Sequence, residues 1–383
     1  MGSPFSFSEE NSGVQKYTHT FENEMNVPGI LENMTTPDAL HLLRKNLRTW
    51  YLSNARDLPW RLEPSVYGTW VSEIMLQQTR VETGIPKWHA FLDKFPDVEA
   101  LANATEDEVM KAWEGLGYYR RARFLHKAAQ EVARRGKFPQ TASEWQALPG
   151  IGTYTSAAIA SIALGEPVAA VDGNVQRVIS RVFGVFDPVD ATAGAQQIQE
   201  WANRWLDHKH PGDHNQAVME LGATVCTPQQ PSCHACPIAS RCHAAQDPAI
   251  WGILPAKTPK KAPTLWAMTL HFAMHESHWV VVQRPARGVW AKLWSLPECS
   301  PTNPGFVRLD EIIPPIRHML THRTIEAKII GWQAPSEKAL RAWAKDIEGR
   351  VIAWPETADL AFPRMLTKVF ADLQRNVGTP PTW

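Results

Sequence analysis

The sequence predicts a mostly helical first half followed by a smaller α+β second half. Three observations carry that expectation. Helical periodicity runs almost unbroken from Thr36 to Ala245, a stretch with four prolines and three lysines interrupts it (residues 246–263), and beyond it the pattern alternates and turns β-branched and aromatic. At 383 residues the chain is long enough for two domains and tails. Lys and Arg total 39 and so do Asp and Glu, so no global field draws the chain to nucleic acid. A neutral total can still hide a basic face: residues 111–137 hold eight Lys or Arg against Glu114 and Glu131. Alone, such a run reads as a solvated helix face.

Taken in order, residues 1–36 are polar and without period and read as a disordered extension. Residues 37–245 form the helical domain. Its predicted helices are Pro37–Asn54, Thr69–Phe95, Glu106–Trp113, Arg120–Gly136, Ser143–Leu148, Thr153–Leu164, Asn174–Phe183, Ala193–Asp207 and Asn215–Cys226. Residues 246–263 have linker composition. Residues 264–375 form the α+β domain. Leu265–Met274 and His278–Arg284 read as a hairpin pair, Ala327–Trp332 as a further strand, and Ser336–Lys345 and Leu360–Leu373 as helices. Residues 376–383 are a tail. No run of 18 apolar residues is present, and the N-terminus lacks the order of a signal peptide. A cytoplasmic, monomeric protein without membrane contact is expected.

Four of the five cysteines lie in one short stretch, Cys226, Cys233, Cys236 and Cys242, with Cys299 apart as an ordinary free thiol. Clustered cysteines with one left over do not make a secreted disulfide framework. Four thiolates this close can converge on one centre, and the spacing alone leaves zinc and an iron–sulfur cluster equally open.

The loop Leu148-Pro149-Gly150-Ile151-Gly152 separates two helical segments, with Ser143 and Gln146 as a capping box for the first. Gly150 and Gly152 let the backbone turn tightly, and the free amides at the start of the second helix suit an anion. This reads as a helix–hairpin–helix that grips DNA phosphate without reading sequence. A nucleotide-loop reading fails, since no strand precedes it and no Gly-Lys-Ser/Thr follows. Asp172, in Val171-Asp172-Gly173-Asn174-Val175, lies 18 residues after Tyr154 and stands where it could simply cap the next helix. In Trp70–Arg80 the apolar Trp70, Val71, Ile74 and Met75 share one helix face and Glu73, Gln77 and Arg80 another, so Glu73 could be a plain surface carboxylate.

Together these motifs resemble the endonuclease III and MutY family of DNA glycosylases over about residues 37–375. The resemblance implies a [4Fe–4S] cluster on the four cysteines, whose loop sets basic residues near Arg241 against phosphate. It makes Glu73 the acid that protonates the base, and Asp172 the carboxylate that stabilises the cationic sugar. Relatives that also cut the strand carry a Schiff-base lysine at position 154. Here Tyr154 stands there, and residues 138–208 contain no lysine, so an enzyme that stops at the abasic site is expected. Leu58, Trp60 and Arg61, with Arg56 nearby, are similar to the family's adenine pocket, as is Gln216 of the Asn215-Gln216 pair. Gln78 and Tyr118 match residues that wedge into the duplex, while Thr79 and Leu116 would face the opposite base.

In the second half, Arg287–Glu298 resembles a strand-loop of the MutY C-terminal domain, which is related to MutT Nudix hydrolases. A competing reading makes this half a hydrolase in its own right. That needs several glutamates on one helix for magnesium, and nothing between Glu298 and Glu326 supplies them. Ile316–His322 resembles the loop that recognises 8-oxoguanine, usually Phe-Ser-His. Here Leu320, Thr321 and His322 keep the hydroxyl and imidazole but replace the stacking aromatic. The expected substrate is therefore double-stranded DNA with adenine opposite 8-oxoguanine or guanine. The rivals are a thymine or uracil mismatch glycosylase on the same scaffold and a catalytically silent damage-binding protein.

Overall fold

The structure, a computed structural model, describes residues 36–259, 262–320 and 322–377. The expected extension up to residue 35, the tail from residue 378 and the candidate Thr321 lie outside the described residues. Helix α1 (Pro37–Asn54) starts where Thr36 accepts a hydrogen bond from the Ala39 amide and Pro37 takes the first position. Short α2 (Pro59–Leu62) leads to α3 (Val66–Met75) and α4 (Val81–Lys94). The sequence predicts one helix over Thr69–Phe95, and the structure corrects this: the chain breaks at Leu76–Arg80, with Gln78 in left-handed backbone at φ 58°. No glycine or proline marks that break, so local pattern could not show it.

Next come α5 (Val98–Asn103), α6 (Glu106–Ala112), opened by the reciprocal Thr105–Glu108 capping box, and α7 (Arg120–Arg135), closed by left-handed Gly136. Helix α8 (Ala142–Gln146) begins at Thr141, whose hydroxyl accepts from the Glu144 amide. The capping pair expected at Ser143 and Gln146 is thus displaced by two residues. Helix α9 (Thr153–Leu164) is apolar around much of its circumference, and its residues from Thr155 to Ser161 are all buried. Helices α10 (Gly173–Phe183), α11 (Thr192–Trp205), α12 (Pro211–Thr224) and α13 (His243–Gln246) complete the helical part.

The chain groups into two compact units, and the helical half contributes to both. The first joins residues 37–56 to residues 165–258. Its core sets Leu40, Leu43 and Leu47 of α1 with Val178, Ile179 and Val182 of α10 and Val218 and Leu221 of α12. The proline-rich stretch is tied to this unit as far as Thr258. The Val189 amide donates to Ala256 O, and the Thr258 hydroxyl donates to Asp190 at 2.8 Å.

The second unit joins residues 57–164 to residues 259–377. Its sheet has strands β1 (Thr264–His275), β2 (His278–Gln283), β3 (Trp294–Ser295), β4 (Val307–Met319), β5 (Arg323–Gln333) and β6 (Arg350–Ala353), in the order β3-β2-β1-β5-β4, with β6 on β2. Strands β1 and β2 form the expected antiparallel hairpin, and β1 runs parallel to β5. One face packs Met268, Leu270 and Phe272 on Met365, Leu366 and Val369 of α15 (Arg364–Val377). The other packs Ala273 and Val280 on Leu340 and Trp343 of α14 (Glu337–Asp346). Strand β4 escaped the sequence reading because Pro314 and Pro315 interrupt it; it lies at an edge and its register is irregular around them.

Candidate active site

In the second unit, α3 and α9 pack together, and this packing decides where Glu73 and Tyr154 meet. The Tyr154 hydroxyl donates to Glu73 Oε2 at 2.6 Å. Four residues on from Glu73, Gln77 Nε2 donates to Thr155 Oγ1 at 3.0 Å, so adjacent turns of the two helices are cross-bonded. Glu73 is half-buried on the polar edge of a helix whose Trp70, Val71, Ile74 and Met75 are buried. A short bond of this kind orients the carboxyl group.

The hairpin before α9 needs glycine at 150 on two grounds. Its φ is 76°, and a Cβ there would lie 2.3 Å from Phe124 Cβ. At Gly152 a Cβ would meet nothing, so that face of the turn is open. Both glycines are exposed.

Gln78 and Tyr118 are exposed and both have left-handed backbone, at φ 58° and 47°. Their turns share one partner that the sequence did not single out. Arg121 Nη1 donates to the carbonyls of Ile74 (2.9 Å), Met75 (2.9 Å) and Gln77 (2.5 Å). Its Nη2 donates to Thr79 Oγ1 (3.3 Å) and to the carbonyls of Leu116 and Gly117 (both 3.1 Å). Burial pulls the guanidinium down to about 10, still high enough to stay charged at neutral pH. One fork therefore fixes the turn carrying Gln78 and Thr79 and the turn carrying Leu116 and Tyr118. Gly-Leu-Gly-Tyr-Tyr-Arg-Arg announced the turn, but nothing distinguished its second arginine. Leu58 and Trp60 are buried, with Trp60 edge-on to Trp88 at 6.0 Å, and Arg61 is half-buried. His322 is exposed in the turn from β4 to β5, and its carbonyl accepts from the Thr264 amide.

In the first unit Asp172 caps α10: Oδ1 accepts from the Val175 amide at 2.7 Å and Oδ2 from Asn174 Nδ2 at 2.9 Å. Burial raises its pKa above the ordinary value for an aspartate, while these two bonds and Arg177 oppose the rise. Capping and chemistry are compatible here, since the same two bonds favour the ionised form. Asn215, buried, donates to Val168 O and accepts from the Ala170 amide, which fixes the strand of chain leading to Asp172. Gln216 is half-buried beside it. Arg56 makes a bidentate pair with Glu220 at 2.6 and 3.0 Å, so its engagement is with the fold of this unit.

The four cysteines are half-buried, unpaired and line one pocket with Val178, Arg181 and Leu221. Arg177 and Arg181 rise from α10 toward it. Arg177 donates to the carbonyls of Cys226 and Gly222. Arg181, fully buried, donates to the carbonyls of Thr227, Pro228, Trp251 and Leu254, and its Nη1 lies 3.5 Å from Cys226 Sγ. Burial pushes the Cys236 thiol up to about 11 and Cys242 to about 12. Four soft sulfur donors around a common pocket, beside a guanidinium that suits thiolate charge, fit a metal centre. Among the described residues no three His, Cys, Asp or Glu side chains are set as closely as one ion requires.

The helical hairpin belongs to a class of DNA-repair proteins. The family described as "HhH-GPD superfamily base excision DNA repair protein" matches residues 71–204. More narrowly, the chain belongs to the adenine DNA glycosylase family. It is 32% identical over 265 residues to the adenine DNA glycosylase of Buchnera aphidicola from Acyrthosiphon pisum, covering 68% of this chain and 75% of that one. It is 46% identical over 214 residues to the human adenine DNA glycosylase, over 53% of this chain. The chain spans 39% of the length of that human relative. Among solved structures, a thermostable thymine-DNA glycosylase is similar with TM-score 0.50 and 27% identity, over 54% of this chain and 96% of that one.

Proposed function

We propose that the chain is a monofunctional adenine DNA glycosylase. It hydrolyses the N-glycosidic bond of adenine paired with 8-oxoguanine or guanine in duplex DNA, leaving an abasic site. The observation that carries this reading is the Tyr154–Glu73 bond, because it joins the position that selects the acid to the position that would hold a lyase nucleophile. Glu73 delivers a proton to the imidazole nitrogen of adenine, which makes the base a better leaving group. Asp172, in its ionised form, stabilises the oxocarbenium ion as the bond breaks. Water completes hydrolysis, with Glu73 now accepting its proton. A phenol cannot form a Schiff base, so no strand scission follows.

Leu58, Trp60, Arg61 and Gln216 would surround the extruded adenine. Gln78 and Tyr118 would fill the space it leaves, and Thr79 and Leu116 would meet the opposite base. The rigid turns set by Arg121 support that role, since a wedge must not yield when pressed into a base stack. The Gly150–Gly152 turn would take backbone phosphate on its open face. The second half would act as a Nudix-like module reading 8-oxoguanine through the turn that ends in His322. Cys226, Cys233, Cys236 and Cys242 would hold a [4Fe–4S] cluster, a reading supported by the family likeness and by four thiols that line one pocket. When bound, the cluster cross-links its loop. The protein would act as a monomer on chromosomal DNA in the cytoplasm, and no helix among the described residues is long and apolar enough to cross a membrane.

The likeness to the thymine-DNA glycosylase supports a second reading, removal of a mismatched pyrimidine. Single-turnover assays on duplexes with adenine opposite 8-oxoguanine and with thymine opposite guanine separate the two. Adenine release is expected. Thymine release alone would establish the second reading, and tight binding without base release would leave a damage-binding protein.

A further inference from the structure

The second unit contains a cleft of about 480 Å³ that none of the roles above uses. One wall is the outer face of α7, which brings Arg120, Arg123 and Lys127 together; the other is the loop carrying Arg287 and Lys292. Five cations thus face a single acid, Glu106. These α7 residues are part of the basic run 111–137 that the sequence left as a solvated face.

The loop is built to hold its cations still. Gly288, Trp290 and Lys292 have φ of 100°, 55° and 63°, so two non-glycine residues occupy left-handed backbone within three positions. Such strain persists only where the surroundings impose it. Here the Lys292 amide donates to the carbonyls of Arg284 and Pro285, the Arg284 amide donates to Leu293 O, and Arg284 Nε donates to Val289 O. Arg284 is itself held by Glu298 at 2.5 Å. The loop also touches the strand that leads to the β4–β5 turn, with the Trp290 and His318 rings 6.0 Å apart.

The cleft shares two lining residues with the cavity beside Gln78 and Tyr118. Arg120 and Phe124, stacked at 4.9 Å, line both it and a second cavity of about 270 Å³ bounded by Gln78, Tyr118 and Gly150. Like charges gathered in one cleft cost free energy unless an anion neutralises them. Burial depresses the proton affinity of Arg123, with Glu106 opposing the shift and Arg120 adding to it.

We propose that this cleft binds the sugar–phosphate backbone of the duplex, beyond the nucleotides around the wedge. The inference rests on the glycosylase reading for its polyanion, and it assigns Arg287 and Lys292 as phosphate contacts that carry no sequence information.

The test is an equilibrium salt titration of the full-length protein on a 30-base-pair duplex of ordinary sequence, comparing wild type with the double variant Arg287→Gln/Lys292→Gln. The expected result is a fall of about two in the slope of log affinity against log salt, because each phosphate contact contributes about 0.9. Arg287→Lys/Lys292→Arg should restore the wild-type slope. Single-turnover base release at saturating protein should not change. An unchanged slope with normal base release would overturn the cleft assignment while leaving the glycosylase reading intact. A reduced slope in a protein that releases no base would do the reverse. An unchanged slope with lost binding of a poly-glutamate probe would give the cleft to an acidic protein segment and overturn the proposal.

Discussion

Each of the two units holds irregular backbone in place with a buried guanidinium, and each does it differently. In the second unit Arg121 reaches six acceptors in two turns and no further group is needed to fix them. In the first, Arg181 reaches four carbonyls around the cysteine loop, yet four thiols are left facing a shared pocket, where burial raises the proton affinity of Cys233, Cys236 and Cys242. Hydrogen bonds to a single fork suffice for short turns flanked by helices. The loop from Cys226 to Cys242, whose regular structure is two short 3-10 turns, adds four cysteines around one pocket to its hydrogen bonds.

The largest effect should come from Asp172. Asp172→Asn removes the charge while keeping a capping group, so base release should fall by about 10²-fold or more while duplex affinity is retained. A near-native rate would remove Asp172 from the chemistry. Next, Arg121→Ala strands buried carbonyls that each cost about 1–3 kcal/mol when unpaired. Thermal unfolding should therefore shift to much lower temperature, and Arg121→Lys should recover little because a point charge cannot replace the fork. Full recovery by lysine would show that charge alone matters at this hub.

Loss of the proposed cluster should act on the first unit alone. Chelation should abolish the brown absorbance expected of an iron–sulfur centre and raise protease sensitivity within residues 226–242, leaving the Arg121 turns protected. Tyr154→Phe deletes the bond that orients Glu73, and a misplaced proton donor forfeits part of the ~10²–10⁴-fold that general acid catalysis supplies. The rate of base release should fall about tenfold to a hundredfold, with duplex affinity unchanged.

The last effects are in pH. Asp172 has a raised folded value, so the ionised form needed for catalysis is lost at a higher pH than for an ordinary carboxylate. The acid limb of the rate profile should shift upward accordingly. Stability behaves separately. Burial pushes His214 in the first unit down from 6.5 to about 3, so below its ordinary value the unfolded chain binds the extra proton. That contribution to stability is present above pH 6.5 and is lost as pH falls toward 3, by about 1.4 kcal/mol per pH unit from this group. His214→Gln should flatten the dependence.

Much of this was legible in the residues. The boundaries of α1 and α9 follow from Thr36-Pro37 and from the glycines before Thr153. The roles expected of Glu73 and Asp172 came from family motifs, and the structure adds their local partners, Tyr154 for Glu73 and Val175 and Asn174 for Asp172. What stayed hidden depends on distant partners. The break at Gln78 carries no glycine and is sustained by Arg121, more than forty residues further along the chain. Strand β4 was masked by Pro314 and Pro315, which only an edge position tolerates. The ties between Arg181 and the proline-rich stretch span about seventy residues, and composition alone made that stretch a linker.

The central claim is that this chain removes adenine and stops at the abasic site, because Tyr154 stands where a nucleophilic amine would be. It is tested most directly by one single-turnover reaction on end-labelled duplex with adenine opposite 8-oxoguanine, analysed with and without alkali and after borohydride. The account predicts released adenine, an intact strand until alkali is added, and no protein–DNA adduct. Strand cleavage without alkali, or a trapped adduct, would contradict it.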